Sequence, residues 1–90
     1  MEKNESLEEV KQLIDQGKTY YTEGKYSKAE IMYKQALEIL KKKYGEHPDV
    51  VMVLKKLGLV YEDQGKHFDA ENAYKQAQEI LRKYSRSGSS

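Results

Sequence analysis

The chain contains two copies of the same segment, the second placed 41 residues after the first. Residues 17–43 align with residues 58–84 without a gap, and about half of the aligned positions are identical. A repeat of this length is one supersecondary unit that buries its apolar side only by stacking on a neighbouring copy. The repeat therefore predicts a stacked-repeat protein whose function lies on the surfaces that stacking leaves open.

The composition argues against several classes of function. The 90 residues include 16 Lys and Arg against 15 Asp and Glu, with no cysteine and a net charge of +1. Without cysteine there is no disulfide or thiolate metal site, and a nearly neutral chain is not expected to bind nucleic acid specifically. The longest apolar stretch, residues 50–54, is too short to span a membrane. Residues 1–5 are not followed by the apolar part of a secretory signal, so we expect a cytoplasmic, intracellular protein.

Capping and spacing signals in the first copy predict two helices. Ser-x-x-Glu capping boxes begin at Ser6 and at Ser27, and each is followed by apolar residues at three- and four-residue intervals. Gly24 ends the first predicted helix. Three lysines followed by Gly45 are typical of the end of the second, because cations stabilise the negative end of the helix dipole.

The second copy predicts two further helices. Pro48 suits the first position of a third helix, where its missing N–H costs nothing, and Gly65 ends that helix. The fourth helix is predicted to run from Phe68 or Asp69 to Tyr84. In each repeat the first helix is called helix A and the second helix B.

These helices predict an all-α fold of two antiparallel helix-turn-helix repeats that form a short right-handed α-solenoid. The first repeat is assigned to residues 6–45 and the second to residues 46–84. Residues 1–5 are expected to form a flexible N-terminus, and residues 85–90 are expected to form a disordered tail or linker.

Two glycines in the middle of predicted A helices, Gly17 and Gly58, predict close contacts between helices. A glycine there costs about 1 kcal/mol relative to alanine, which is reasonable if a neighbouring helix crosses at that point. Ala29 and Ala70 would be the matching small residues of the B helices. Four tyrosines are expected to fill the remaining core: Tyr20, Tyr33, Tyr61 and Tyr74.

Glutamate precedes lysine by four residues at four places in the B helices, the favourable orientation for a salt bridge. Such pairs indicate the solvent side of a helix. The predicted pairs are Glu30–Lys34, Glu38–Lys42, Glu71–Lys75 and Glu79–Lys83.

The pattern of glycine, tyrosine and alanine in both copies resembles the tetratricopeptide repeat. The positions that carry the resemblance are Leu13, Gly17, Tyr20, Ala29, Tyr33, Ala36, Leu54, Gly58, Tyr61, Ala70, Tyr74 and Ala77. The 41-residue period and the connector at residues 44–50 are similar to the longer variant found in kinesin light chains. One departure is Gln16, which stands where the family usually has leucine. The proline that usually closes helix B is also absent, so both B helices are expected to be long.

The resemblance implies a non-enzymatic module that binds a peptide or a partner protein in the groove lined by the A helices. Carried over residue by residue, the groove consists of Lys11, Ile14, Lys18, Tyr21, Thr22, Met52, Lys55, Leu59, Glu62 and Asp63. Its lysines and apolar side chains suit a segment with acidic and apolar residues. The alternative is that Ile14, Met52 and Leu59 only pack between neighbouring helices.

The sequence predicts no catalytic residue, cofactor or metal site. Motifs of phosphate-binding loops, zinc proteases and serine hydrolases are absent. His47 and His67 lack a ligand partner at helical spacing. The family's clamp for chaperone tails is not expected either, because Ile14, Lys18 and Lys56 occupy positions where that clamp has lysine and asparagine.

Two repeats leave terminal faces that no further repeat covers. The alternative function is therefore a structural one, in which the chain is a self-associating fragment of a longer array, homo-oligomeric or domain-swapped. A third hypothesis is weak, salt-sensitive binding of acidic polymers through the lysines.

Overall fold

The chain forms four helices and no strand within residues 2–89, the part of the backbone that the computed structural model describes; side chains are described for residues 7–85. The helices are α1 (Glu2–Thr22), α2 (Tyr26–Tyr44), α3 (Pro48–Asp63) and α4 (His67–Ser89). They pack in chain order, α1 on α2, α2 on α3 and α3 on α4. The all-α, two-repeat fold predicted from the sequence is confirmed.

The helix starts predicted from the two capping boxes are wrong. α1 begins at Glu2, so the backbone of Ser6, whose side chain lies outside the described ones, is already helical. The residues that precede Ser6 include Glu and Lys, which favour helix, and acidic groups suit a helix N-terminus. α2 begins at Tyr26 with Lys25 as N-cap and no side-chain capping bond, which places Ser27 one residue too late to cap it.

The glycine and proline signals are accurate. Gly24, Gly45 and Gly65 all have positive φ, of 79°, 69° and 79°, which a side chain would strain. Pro48 is the first residue of α3, and the residue before it, His47, is the N-cap, its Nδ1 accepting a hydrogen bond of 3.1 Å from the backbone N–H of Asp49. The glycine and proline residues of the turns therefore predict the helix boundaries better than the capping boxes at Ser6 and Ser27 do.

α4 begins at His67 and ends at Ser89, so it extends past both of its predicted ends. The predicted end at Tyr84 rested on small polar residues there. No proline follows, and the next glycine is Gly88, so nothing in the backbone chemistry stops the helix earlier. The expectation of long B helices is confirmed for α2 and α4.

Close helix contact at the two glycines is confirmed, but the nearest partner is an aromatic ring. A Cβ built on Gly17 would lie 2.5 to 2.9 Å from three ring carbons of Tyr33. A Cβ on Gly58 would lie as close to Tyr74. Ala29 and Ala70 are buried, at 0 % and 2 % exposed, but the ring four residues later lies nearest to each glycine.

Most of the repeat signature lies in the core. Leu13, Ala29, Tyr33, Ala36, Leu54, Ala70, Ala77 and both glycines are buried. The other three signature tyrosines were predicted to be core and are half-buried: Tyr20, Tyr61 and Tyr74. The Lys28 ammonium lies 5.6 Å from the Tyr20 ring centroid and the Lys66 ammonium 5.9 Å from that of Tyr61, so each ring faces the solvated edge of its repeat.

The two A helices, α1 and α3, differ in the polarity and burial of the side that faces away from the B helix of the same repeat, α2 or α4. In α3 this side is apolar and buried, because α3 lies between α2 and α4; it consists of Val50, Val53, Leu57 and Val60. The equivalent residues of α1, 41 positions earlier, are exposed and polar: Glu9, Gln12, Gln16 and Thr19. The sequence therefore gives the outer side of α1 a polar surface suited to solvent.

Charged side chains connect the two repeats at Glu30. The predicted pair Glu30–Lys34 is present at 3.1 Å, and Lys66 also approaches Glu30 at 3.4 Å. Burial by itself would raise the pKa of Glu30, but the hydrogen bond from Lys34 and the charge of Lys66 outweigh it and lower that pKa from its ordinary value. Lys83 differs from its predicted pairing with Glu79: its ammonium lies 2.9 Å from Glu46, because the end of α4 lies beside the α2–α3 connector.

Replacing Glu30 with glutamine should lower the free energy of unfolding by about 1 kcal/mol at neutral pH, because an amide cannot pair with two lysines. The folded-state pKa lies below the unfolded value near 4.5, so this stabilisation is present above that value and lost as pH falls through the folded pKa. Urea unfolding of wild type and Glu30→Gln, at neutral pH and at pH values down to below the folded-state pKa, measures this difference in stability. Glu71→Gln, at the equivalent exposed position of repeat 2, is the matched control and should change stability by less than about 0.5 kcal/mol. A wild-type advantage over Glu30→Gln that does not change with pH would contradict the account.

Candidate binding cleft

A cleft of about 250 Å³ lies between the two A helices. Its lining combines two lysines, two tyrosines, one threonine and one leucine: Lys18, Tyr21, Thr22, Tyr33, Lys56 and Leu59. Helical spacing explains the set, because residues three or four apart share one side of a helix. We call it the α1–α3 cleft.

Tyr21 links α1 to α3 at the C-terminal end of both helices. Its hydroxyl donates a hydrogen bond of 2.5 Å to Oδ2 of Asp63, and its ring centroid lies 5.5 Å from that of Tyr26. Thr22 is also oriented, since its hydroxyl donates to the backbone carbonyl of Lys18 at 2.9 Å. This end of the cleft is therefore held in place before any ligand arrives.

The hydrogen bond to Asp63 changes the chemistry of Tyr21. It raises the pKa of the phenol from 10.0 to about 12, with smaller contributions from desolvation and from the negative charge of Asp63. Because the folded value lies above the unfolded one, the resulting stabilisation is full below pH 10 and is lost as pH rises towards 12. At neutral pH the hydroxyl remains a donor whose acceptor is already supplied by the protein.

Replacing Asp63 with asparagine should return the pKa of Tyr21 towards its ordinary value of 10.0, because the charged acceptor is gone. Tyrosine Cζ chemical shifts followed over pH in wild type and Asp63→Asn measure this. Glu62→Gln removes the same charge one residue away and should leave the Tyr21 transition near its wild-type position. A Tyr21 transition that is unchanged in Asp63→Asn would show that the hydrogen bond is not what holds the proton.

The two lysines of the cleft are available to a ligand. Among the side chains described, neither Lys18 nor Lys56 lies within 4.0 Å of a carboxylate. Leu59 is 48 % exposed beside them, a large apolar side chain without full cover. The cleft thus offers two unpaired positive charges around an apolar contact point, which is chemistry suited to a segment with carboxylate and apolar side chains.

Comparison with known protein families agrees with this architecture. The family model for the tetratricopeptide repeat matches residues 11–83, which covers most of both repeats. The chain belongs to the tetratricopeptide-repeat family. A search of curated proteins gives no match to this chain. Tetratricopeptide repeats commonly mediate protein–protein interaction, and the family is typically non-enzymatic.

Four of the ten groove residues predicted from the tetratricopeptide-repeat resemblance line the α1–α3 cleft: Lys18, Tyr21, Thr22 and Leu59. A fifth, Asp63, is bonded to Tyr21. Ile14 is half-buried against the core. The remaining four are exposed outside the cleft lining: Lys11, Met52, Lys55 and Glu62. Met52 is 40 % exposed and Leu59 is 48 % exposed.

Sequence reasoning missed two residues of this tetratricopeptide-repeat cleft, Lys56 and Tyr33. The spacing Met52, Lys56, Leu59 and Asp63 was a signal for Lys56, since these residues follow one another at four, three and four positions. The resemblance implied Lys55 instead, which lies one position away from this spacing. Tyr33 was assigned to the core, and it is indeed 3 % exposed, but its ring also borders the cleft.

Other kinds of site receive no support from the described residues. Within them, no group of three or more histidine or acidic side chains is arranged to hold a metal ion. Across the same part of the chain, no helix has both the length and the apolar character needed to cross a bilayer. His47 serves as the cap of α3, and its ring stacks on Tyr44 with 4.6 Å between centroids.

Proposed function

We propose that this chain is a non-enzymatic scaffold module that binds an acidic, partly apolar peptide segment of a partner protein in the α1–α3 cleft. The observation that carries the proposal is the pair of ammonium groups of Lys18 and Lys56, which have no carboxylate partner among the described side chains, beside the exposed side chain of Leu59. Ligand carboxylates would pair with the lysines and an apolar ligand side chain would cover Leu59. No catalytic step is part of the proposal.

The size and setting of the cleft favour a peptide over a folded surface. A volume of about 250 Å³ accommodates a few side chains of a peptide. Lys11 and Lys55 are exposed on the same two A helices, where they would extend the positive surface for a longer segment. Because the contacts are ionic, affinity should fall as salt is raised.

We further propose that the chain is of the long-repeat variant, similar to kinesin light chains. This assignment is supported by the 41-residue period and by a connector in which Gly45, His47 and Pro48 form a defined turn and cap. A cytoplasmic scaffold that brings partner proteins together is the setting that this variant suggests. Fractionation of cells that express the tagged chain tests the location.

Charge reversal tests the cleft directly. Peptides selected by phage display on the immobilised full chain provide the ligand, and anisotropy of a labelled selected peptide gives the dissociation constant. Lys18→Glu and Lys56→Glu should each weaken binding by at least about tenfold, because attraction becomes repulsion. Lys42→Glu makes the same charge change in the last turn of α2, away from the cleft, and should leave the constant within about twofold. Equal losses in all three variants, or none, would refute binding in the cleft.

Self-association is the second candidate function, and one observation favours it. Large apolar side chains are exposed on α4: Phe68 at 77 %, Leu81 at 41 % and Tyr84 at 42 %. The polar outer side of α1 disfavours head-to-tail stacking of copies, so α4 would have to pair with α4. Light scattering over a hundredfold range of concentration decides: a mass that rises with concentration supports pairing, and a constant monomer mass excludes it.

A further inference from the structure

Identical residues of the two repeats have different surroundings. Leu40 in α2 is 1 % exposed, whereas its equivalent in α4, Leu81, is 41 % exposed. Tyr33 is 3 % exposed, whereas its equivalent Tyr74 is half-buried. We call the side of α4 that carries Glu71, Tyr74, Gln78 and Leu81 the α4 face; by helical spacing these residues share one side. The difference between the repeats lies in what covers this side.

In repeat 1 the equivalent side of α2 is covered by α3. Leu37 and Lys41 of α2 line a common crevice with Leu54 and Leu57 of α3. Beyond the end of α3, Lys66 reaches back to Glu30 at 3.4 Å. The chain therefore shows which partner this arrangement of residues accepts: an amphipathic helix followed by a lysine that pairs with the glutamate.

The residues that α3 uses for this contact define the pattern. Its buried apolar residues, Val50, Val53, Leu57 and Val60, lie at intervals of three, four and three. They form the apolar stripe of an amphipathic helix, and helices of this kind dock in grooves between other helices. Lys66 follows the last of them by six residues.

One end of the α4 face is more acidic than its counterpart in repeat 1. A depression of about 450 Å³ there is lined by two carboxylate side chains, Glu62 and Glu71, together with His67, Phe68, Ala70 and Tyr74. Glu62 stands where repeat 1 has Tyr21, whose hydroxyl bonds Asp63 of α3. An occupant with aspartate at that position would meet Glu62 with like charge, so a cation fits there.

A second copy of the chain cannot supply this helix through α1. The residues of α1 that correspond to the apolar stripe of α3 are Glu9, Gln12, Gln16 and Thr19, all exposed. α1 would therefore place four polar or charged side chains against Tyr74 and Leu81, where an apolar stripe is needed to cover them. Copies of α3 are already packed between α2 and α4 and are not free.

We propose that the α4 face binds an amphipathic helix from a partner protein, with apolar residues at the spacing of Val50, Val53, Leu57 and Val60. The helix carries lysine or arginine at the positions that correspond to Asp63 and Lys66. Its basic end lies against Glu62 and Glu71, and its apolar stripe covers Tyr74 and Leu81. This surface is separate from the α1–α3 cleft and prefers ligands of opposite charge.

A peptide with the sequence of residues 46–66 and the substitution Asp63→Lys is the probe. Anisotropy of the labelled peptide, titrated with the full chain, should show saturable binding that is tighter than for the same peptide without the substitution. Glu71→Lys should weaken it by at least about tenfold. Glu79→Lys, the same charge change on another side of α4, should leave it within about twofold, as should Lys18→Glu in the cleft. Circular dichroism confirms that the variants remain helical.

Three outcomes would overturn the proposal. One is equal affinity for Glu71→Lys and Glu79→Lys. Another is amide shift changes on peptide addition that centre on Leu40, since the peptide would then be displacing the chain's own α3. The third is a dimer by light scattering that the peptide does not dissociate, which would assign the α4 face to a second copy. Loss of binding in Glu71→Lys with retention in Lys18→Glu separates this proposal from peptide binding in the cleft.

Discussion

Replacing Leu40 with alanine should lower the free energy of unfolding by about 2–5 kcal/mol, whereas Leu81→Ala should lower it by less than about 1 kcal/mol. The two leucines occupy equivalent positions of the two repeats. Leu40 is 1 % exposed beneath α3, so its removal leaves a cavity; Leu81 is 41 % exposed, so water replaces much of the lost contact. Urea unfolding followed by circular dichroism at low protein concentration measures both.

The pair of leucine variants tests whether α4 has an open side in solution. Because both substitutions remove the same atoms from the same kind of helix, propensity differences cancel between them. Similar costs for Leu40→Ala and Leu81→Ala would contradict an exposed Leu81. A Leu81→Ala cost that grows with protein concentration would show that a second copy covers it.

Gly17→Ala should destabilise the chain by up to about 2 kcal/mol, and Gly58→Ala should change its stability little. Alanine gains about 1 kcal/mol of helix propensity at either position. At Gly17 the new Cβ meets the ring of Tyr33, which is 3 % exposed and enclosed, and overpacking of this kind costs about 1–3 kcal/mol. At Gly58 it meets Tyr74, which is half-buried and can turn towards solvent.

Thermal unfolding measures the stability of the variants Gly17→Ala and Gly58→Ala. A change of 1 kcal/mol shifts Tm by about 4–8 °C in a domain of this size, so Gly17→Ala should melt several degrees below wild type and Gly58→Ala close to it. The double variants Gly17→Ala/Tyr33→Phe and Gly58→Ala/Tyr74→Phe control for the hydroxyl, which is not the clashing group. Equal destabilisation at the two glycines would mean that Tyr74 is as firmly held as Tyr33.

The fold could be predicted from the sequence because the same pattern of glycine, tyrosine and alanine occurs in both repeats, so each copy supports the helices predicted from the other. Gly17 and Gly58 correctly indicated close helix contacts, and Gly24, Gly45, Gly65 and Pro48 correctly indicated the turns. The serine boxes failed because the residue before Ser27 already has helical geometry, and a capping side chain must lie just outside the helix.

The burial and contacts of individual side chains were harder to predict than the positions of the helices. Tyr33 and Tyr74 each begin the same segment, Tyr-Lys-Gln-Ala, yet Tyr33 is buried and Tyr74 is half-buried, because burial depends on whether another helix packs beside them. Lys56 could have been predicted in place of Lys55, because it follows Met52 by four residues and precedes Leu59 by three, and so shares their side of α3. The bond from Tyr21 to Asp63 joins residues 42 positions apart and depends on the angle between repeats.

The central claim is that a partner peptide binds between the A helices. Amide shift mapping of the full chain, titrated with a selected acidic peptide, tests it most directly. The account predicts that the largest changes centre on Lys18, Tyr21, Lys56 and Leu59. Largest changes along α4, around Glu71 and Leu81, with none in the α1–α3 cleft, would contradict it.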